Sequence, residues 1–178
     1  MDAKRESEQT PMKNATSVER KSERELVVTR TVNGSARIVF KAWTTPELFK
    51  QWWVPKSFGL SLLSCEMDVR IGGRYRLVFS HEASTMEFFG TYLAVIPHSR
   101  LVWTNDEGDD GSVITTVTFE EQGSKTLLVV HDLYPSKQVL DAAISSGATS
   151  GMPETLEQLD EFLGSLGATR SPDGQLLA

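Results

Sequence analysis

The sequence predicts an α+β domain, with an antiparallel sheet packed by helices on one face. Three observations predict it. Strand-type segments follow one another from Ser61 to Leu133 with no helical interruption. Two short helical segments separate the first strand from that meander. The final segment carries Leu156, Leu159, Phe162, Leu163 and Leu166 at helical spacing. Together they predict a sheet of about six to seven strands, two short helices after strand one, and a long C-terminal helix.

Residues 1–24 mix Lys4, Arg5, Glu6, Glu8, Arg20, Lys21, Glu23 and Arg24 with few apolar side chains. Such a segment buries too little surface to offset its ordering entropy, and it is read as a disordered tail. Order is expected from Glu25. Leu26–Val32 is a β-rich run ended by Asn33-Gly34. Ser35 is placed to cap a helix over Ala36–Trp43. Thr44 or Thr45 caps a second helix with Pro46 in its first turn, and Pro55 stops the run.

Strands are expected at Ser61–Arg70, Arg74–Ser80, Thr85–Ile96, Arg100–Asn105, a segment carrying Val113, Thr115, Val117 and Phe119 on one face, and Thr126–Leu133. Gly72-Gly73, Pro97, the acidic stretch 106–111, Gln122-Gly123-Ser124 and Pro135 punctuate them. Ser136 caps Lys137–Ser145. Pro153 must fall in the first turn of the last helix, because only there does a missing N–H cost nothing, so that helix caps at or after Thr149. Residues 167–178 have no period and are read as a frayed tail, leaving 25–166 as one domain.

The chain has 178 residues, 39% apolar and 24% charged, an ordinary globular composition with room for a sizeable core. Its apolar runs fall far short of the ~20 residues that cross a bilayer, and no leader pattern opens the chain, so a cytoplasmic protein without a membrane partner is expected. A net charge of −6 argues against a nucleic-acid partner. The acidic stretches at 106–110 and at Glu154, Glu157, Asp160 and Glu161 are either solvated faces or a surface for a basic protein partner. Cys65 is the single cysteine, so no internal disulfide exists, and it reads as a small buried hydrophobe. His81, His98 and His131 lie in separate segments without ligand spacing, so no metal is expected. No nucleophile elbow, phosphate loop or dinucleotide fingerprint occurs.

Phe40-Lys41-Ala42-Trp43-Thr44-Thr45-Pro46-Glu47 with Gln51-Trp52-Trp53, then Gly72-Gly73-Arg74-Tyr75, Gly90-Thr91-Tyr92, Ile96-Pro97, Arg100-Leu101-Val102-Trp103-Thr104 and Val117-Thr118-Phe119-Glu120-Glu121 follow in a set order. Leu133-Tyr134-Pro135-Ser136-Lys137, Ser146-Gly147 and Gly151-Met152 complete the series. This resembles the activator of heat-shock-protein-90 ATPase homologue family, from about Glu25 to Leu166. That family belongs to the START-like, polyketide-cyclase-like superfamily. The resemblance implies a helix-grip fold: a curved sheet wrapped around the long C-terminal helix, with a cavity between them.

Within that frame, strand parity expects Tyr75, Leu77, Phe79, Phe88, Trp103, Val117 and Phe119 to face inward, against Met152, Leu156, Leu159 and Leu163 of the long helix. Each is either solid core or cavity lining. Trp43, Trp52 and Trp53 either pack the short helices on the sheet end or, as Trp43 and Trp53, rim a pocket. Met86 and Met152 suit an adaptable pocket. Among carboxylates in or beside strands (Glu66, Asp68, Glu82, Glu87, Asp132), an inward one would have a raised pKa and could serve as a base, and Glu87 points outward if Phe88 points inward. The leading expectation is a cavity for a small hydrophobic molecule, with no catalytic residue and no cofactor, in a monomer or weak dimer. A chaperone-associated interaction module, or a cyclase or hydrolase acting on a hydrophobic substrate, are the alternatives.

Overall fold

The computed structural model describes residues 15–168. Alternating burial on strand after strand gives one eight-stranded antiparallel sheet, in the order β1-β2-β8-β7-β6-β5-β4-β3. The strands are β1 (Thr16–Arg20), β2 (Glu25–Val32), β3 (Ser61–Met67), β4 (Arg74–His81), β5 (Ser84–Ile96), β6 (Arg100–Asn105), β7 (Val113–Gln122) and β8 (Lys125–Leu133). Helices α1 (Ala36–Thr44) and α2 (Pro46–Phe49) carry the chain from β2, next to one edge of the sheet, to β3 at the other edge. Helices α3 (Lys137–Ser145) and α4 (Met152–Ala168) follow β8.

The strand count exceeds the expected six to seven because ordered structure starts before Glu25. Thr16–Arg20 pairs with β2 from Thr16↔Arg30 to Arg20↔Leu26. This edge strand is exposed along nearly its whole length, so it lacks the apolar alternation by which a strand is recognised. Backbone pairing and polar ties hold it instead: Arg30 donates to Thr16 Oγ1 at 2.8 Å, and Arg20 meets Asp141 at 2.7 Å. The rest of the expected N-terminal tail, 1–14, and the end of the C-terminal one, 169–178, lie outside the described residues. β3 stops at Met67 rather than Arg70, because Arg70 and Gly73 turn back onto Asp68 O and Arg70 O.

Two of the three expected side-chain caps form; Thr45 stands at the N-cap of α2 but its side chain makes no capping bond, and Thr44 Oγ1 donates back to Phe40 O. Ser35 Oγ accepts from Ile38 N, Ser136 Oγ accepts from Val139 N, and Pro46 opens α2. Pro153 lies in the first turn of α4, whose first α-type bond runs from Thr155 N to Gly151 O. Gly151 is required there: a Cβ would stand 2.9 Å from the Phe58 ring and 3.0 Å from Pro55.

Helix α4 is docked by a buried ion pair. Arg30 donates to Asp160 Oδ2 through Nε at 3.0 Å and Nη2 at 2.8 Å, while Asp160 Oδ1 accepts from Asn33 N at 2.8 Å. The two side chains are only 7% and 10% exposed. Leu156, Leu159 and Leu163 then pack into the main core with Val28, Val32 and Val39. Breaking a buried, multiply bonded pair leaves an uncompensated charge, so Asp160→Ala is expected to lower the unfolding free energy by about 3 kcal/mol. Arg76→Ala, at the exposed and solvent-screened Arg76–Glu87 pair, should cost far less. Urea denaturation of both variants checks the contrast.

Candidate functional site

The inner face of the sheet is fixed by strand parity: Tyr75, Leu77 and Phe79 on β4, Leu101 and Trp103 on β6, Val117 and Phe119 on β7, Leu128 and Val130 on β8. Helix α4 covers the β1–β2 side. Over β4–β8 the cover is different: α3, the first turn of α4 and the segment 53–60. Beneath it lies a cavity of about 580 Å³.

The cover is latched by side chain to backbone bonds that satisfy the loop's otherwise orphaned groups. Gln158 Nε2 donates to Trp52 O at 2.9 Å and Val54 O at 2.8 Å, and its Oε1 accepts from Lys56 N at 2.9 Å. Thr155 Oγ1 donates to Trp53 O, and Glu154 accepts from Ser57 N and Ser57 Oγ. These bonds hold the Glu154 carboxyl below its ordinary range.

Of the sequence-derived candidates, Trp43, Trp53, Tyr75, Leu77, Phe79, Phe88, Trp103 and Met152 line this cavity. Val117, Phe119, Leu156, Leu159 and Leu163 do not; they are sealed in the solid core, where α1 and α4 meet the sheet. The difference is position along the element: the same face of a strand or helix is packed at one end and open at the other. Met86 also lines the cavity. The aromatic wall is a connected cluster, with Trp43 edge-on to Trp52 and Trp53 at centroid distances of 4.9 and 5.7 Å, and Phe49 stacked on Trp53 at 4.7 Å. Each such pair adds about 0.5–1.5 kcal/mol beyond area burial.

One end of the cavity is polar. Tyr75 OH donates to Thr104 O at 2.8 Å and Asn105 Oδ1 at 3.0 Å, and Trp103 Nε1 also reaches Asn105 Oδ1, at 3.3 Å. Asn105 Nδ2 donates to Val113 O and to Thr115 Oγ1, each at 2.9 Å. Thr115 Oγ1 in turn donates to Asp132 Oδ1 at 2.6 Å. Strand register assembles this chain, since Trp103 pairs with Thr115 and Thr115 with Asp132. Gly90 makes it possible: a Cβ there would overlap Thr104 O at 1.7 Å and press the Tyr75 ring at 2.9 Å.

Burial pushes the Asp132 carboxyl up to about 6, against the pull of its Thr115 bond and of His131. Asp132 is partly buried and lines the cavity. Burial also raises the Tyr75 phenol, aided by the negative charges of Glu107, Asp106 and Asp132. Glu107 accepts from Phe89 N at 3.2 Å and lines the cavity from its exposed rim, where partial burial raises its carboxyl. The acidic stretch at 106–110 is therefore not uniformly a solvated face. Phe58, Met86 and Ala148 are the other exposed lining residues and mark where the cavity meets solvent.

The polar residues were readable in part. Asp132 continues the inward series Thr126, Leu128, Val130, and Asn105 continues Leu101, Trp103, so parity alone places both inside. Glu107 and Phe58 sit outside regular elements, where no periodicity operates. Glu87 points outward onto Arg76 at 2.6 Å, as Phe88 faces in. His131 meets Glu25 at 2.7 Å, away from the cavity lining, and His98 lies edge-on to Phe40. Cys65 is half-buried, which raises its thiol. Among the described residues no group of His, Cys, Asp and Glu could hold a metal, and no helix is long and apolar enough to cross a membrane.

An antiparallel sheet gripping a C-terminal helix, with an aromatic cavity beside it, defines the helix-grip class. The family model described as "Activator of Hsp90 ATPase homolog 1-like protein" matches residues 33–164, and the chain belongs to that family. Among solved structures it is similar to a Nitrosomonas europaea protein at 25% identity, covering 83% of this chain and 99% of that one, with a TM-score of 0.75. A Rhodobacter sphaeroides protein aligns at 22% identity over 85% and 99% of the chains, TM-score 0.79. An Arthrobacter aurescens protein aligns at 18% over 84% and 91%, TM-score 0.74. The search of curated proteins gave no match.

The raised Asp132 carboxyl has a consequence for stability. Below its unfolded pKa of 3.8 the group is protonated in both states and contributes nothing. As pH rises through about 6 the folded protein must ionise a group it holds more tightly protonated, and stability falls. Asp132→Asn removes that penalty, and should raise stability at pH 8 by about 1–3 kcal/mol while leaving it nearly unchanged at pH 4. Chemical denaturation at the two pH values measures it.

Proposed function

We propose that this protein binds a small, predominantly apolar molecule in the cavity between the sheet, α3, the start of α4 and segment 53–60. The observation that carries this reading is the cavity itself. Its volume of about 580 Å³ falls within the ~300–1,000 Å³ usual for small-molecule sites. Its lining is aromatic and aliphatic, with a few convergent polar groups at one end. Such a void forgoes packing energy, which a ligand would restore.

A second reading, a cyclase or hydrolase on a hydrophobic substrate, is favoured by one feature: a carboxylate near pKa 6, oriented by Thr115, facing an otherwise apolar chamber. Docking to a basic protein partner has only exposed acidic residues behind it, and a shared fold does not assign it.

Titration of isotope-labelled protein with neutral aromatics and sterols tests the binding reading. Saturable amide shifts are expected at Tyr75, Phe88, Trp103 and Met152. Ala143→Phe, which fills the cavity from α3, should weaken binding at least ~10-fold without unfolding the protein. An unresponsive spectrum across the panel would remove the carrier reading.

A further inference from the structure

The polar end of the cavity has a direction. Most hydrogen-bond donors there are already spent on the protein: Tyr75 OH on Thr104 and Asn105, both Asn105 Nδ2 hydrogens on Val113 and Thr115, the Thr115 hydroxyl on Asp132, and Trp103 Nε1 on Asn105. The one charged group left short of partners is an acceptor. Asp132 Oδ1 takes the Thr115 bond, whereas Oδ2 receives none from the protein and is not sealed away. Glu107 adds a second carboxylate at the rim.

No countercharge is built in. The cavity lining contains no lysine, arginine or histidine, and neither Asp132 nor Glu107 enters an ion pair within the described residues. The nearest imidazole, His131, is engaged with Glu25. Among the described residues, four lining donors make no bond to the protein: Trp43 Nε1, buried among the rings of Trp52 and Trp53, Trp53 Nε1, and the hydroxyls of Tyr92 and Tyr134, all of them neutral.

We propose that this cavity selects apolar molecules ending in a protonated amine and rejects the matching carboxylates. The proposal rests on the cavity-binding reading above. An ammonium group supplies the donors that Asp132 Oδ2 lacks and the charge that two unpaired carboxylates leave uncompensated. The aromatic wall adds ring faces attractive to a cation. A carboxylate ligand would instead meet carboxylates of like charge, in a cavity with no cationic side chain to receive it.

The test is a matched series at pH 8: 2-naphthylmethylamine, 2-naphthylmethanol and 2-naphthoate, followed by amide shifts and by tryptophan fluorescence. The expected order is amine, then alcohol, then carboxylate, with at least ~10-fold between the first and last. Asp132→Asn should narrow that ratio to below ~3-fold, chiefly by weakening the amine. Glu107→Gln, at the exposed rim, should narrow it less and serves as an independent check should the Asp132 variant fail to fold. Saturable binding with the carboxylate equal to or tighter than the amine overturns the proposal but leaves the cavity reading intact. An order unchanged in both variants overturns it too. Absence of binding by all three probes overturns both.

Discussion

The buried pair between Arg30 and Asp160 fixes where the long helix lies, and the remaining layout follows from that position. Asp160 is bonded from two directions, by the Arg30 guanidinium and by the backbone N–H of Asn33. Helix α4 is thereby pinned over β1 and β2 and cannot slide across the sheet. Six residues earlier in the same helix, at roughly 1.5 Å per residue, Glu154 latches Ser57. Thr155 and Gln158 latch Trp53, Val54 and Lys56 between those points. One rigid element so holds both the solid core and the cover of the cavity. The space over β4–β8 stays open because the helix that would fill it is anchored elsewhere.

Within that space the polar groups sit at one end for a register reason. β6, β7 and β8 bring Asn105, Thr115 and Asp132 into one neighbourhood near the strand termini, while their inward partners deeper in the sheet are Leu101, Val117 and Val130. An apolar core would be satisfied with aliphatic residues at those three positions too. Asp132 costs the fold stability at neutral pH, since its ionised form is disfavoured where it lies. A group that weakens the fold, tied through one oxygen into a hydrogen-bonded chain and lining a cavity, is the pattern expected of a site rather than of packing.

Most of the fold was legible in the sequence because its signals are local. Strand alternation, Ser35 and Ser136 as caps, and Pro46 and Pro153 as first-turn residues each constrain their own element. β1 was not legible, because backbone pairing with β2 and polar ties to Arg30 and Asp141 hold it, and none of these writes an apolar alternation into its own residues. For the candidate site, periodicity gives which face a residue occupies but not whether that face is packed. Tyr75 and Val117 carry the same sequence signal, yet one borders the void and the other is fully buried in the core. Phe58 and Glu107 come from irregular segments and have no sequence signal of this kind.

The cavity wall is not uniform in what constrains it. Trp43, Tyr75 and Trp103 are buried, ring-packed and tied into the core, so changing them would disturb the fold as well as any ligand. Phe58, Met86, Glu107 and Ala148 are exposed, and the fold makes few demands on them. Likeness to solved structures at identities near 20% is a likeness of fold, and it extends to neither kind of residue. Family membership consequently fixes the existence of the sheet, the gripped helix and their order. On the proposed binding reading, ligand chemistry depends instead on side chains outside that frame, and in this chain the charged ones are Asp132 in the wall and Glu107 at the opening.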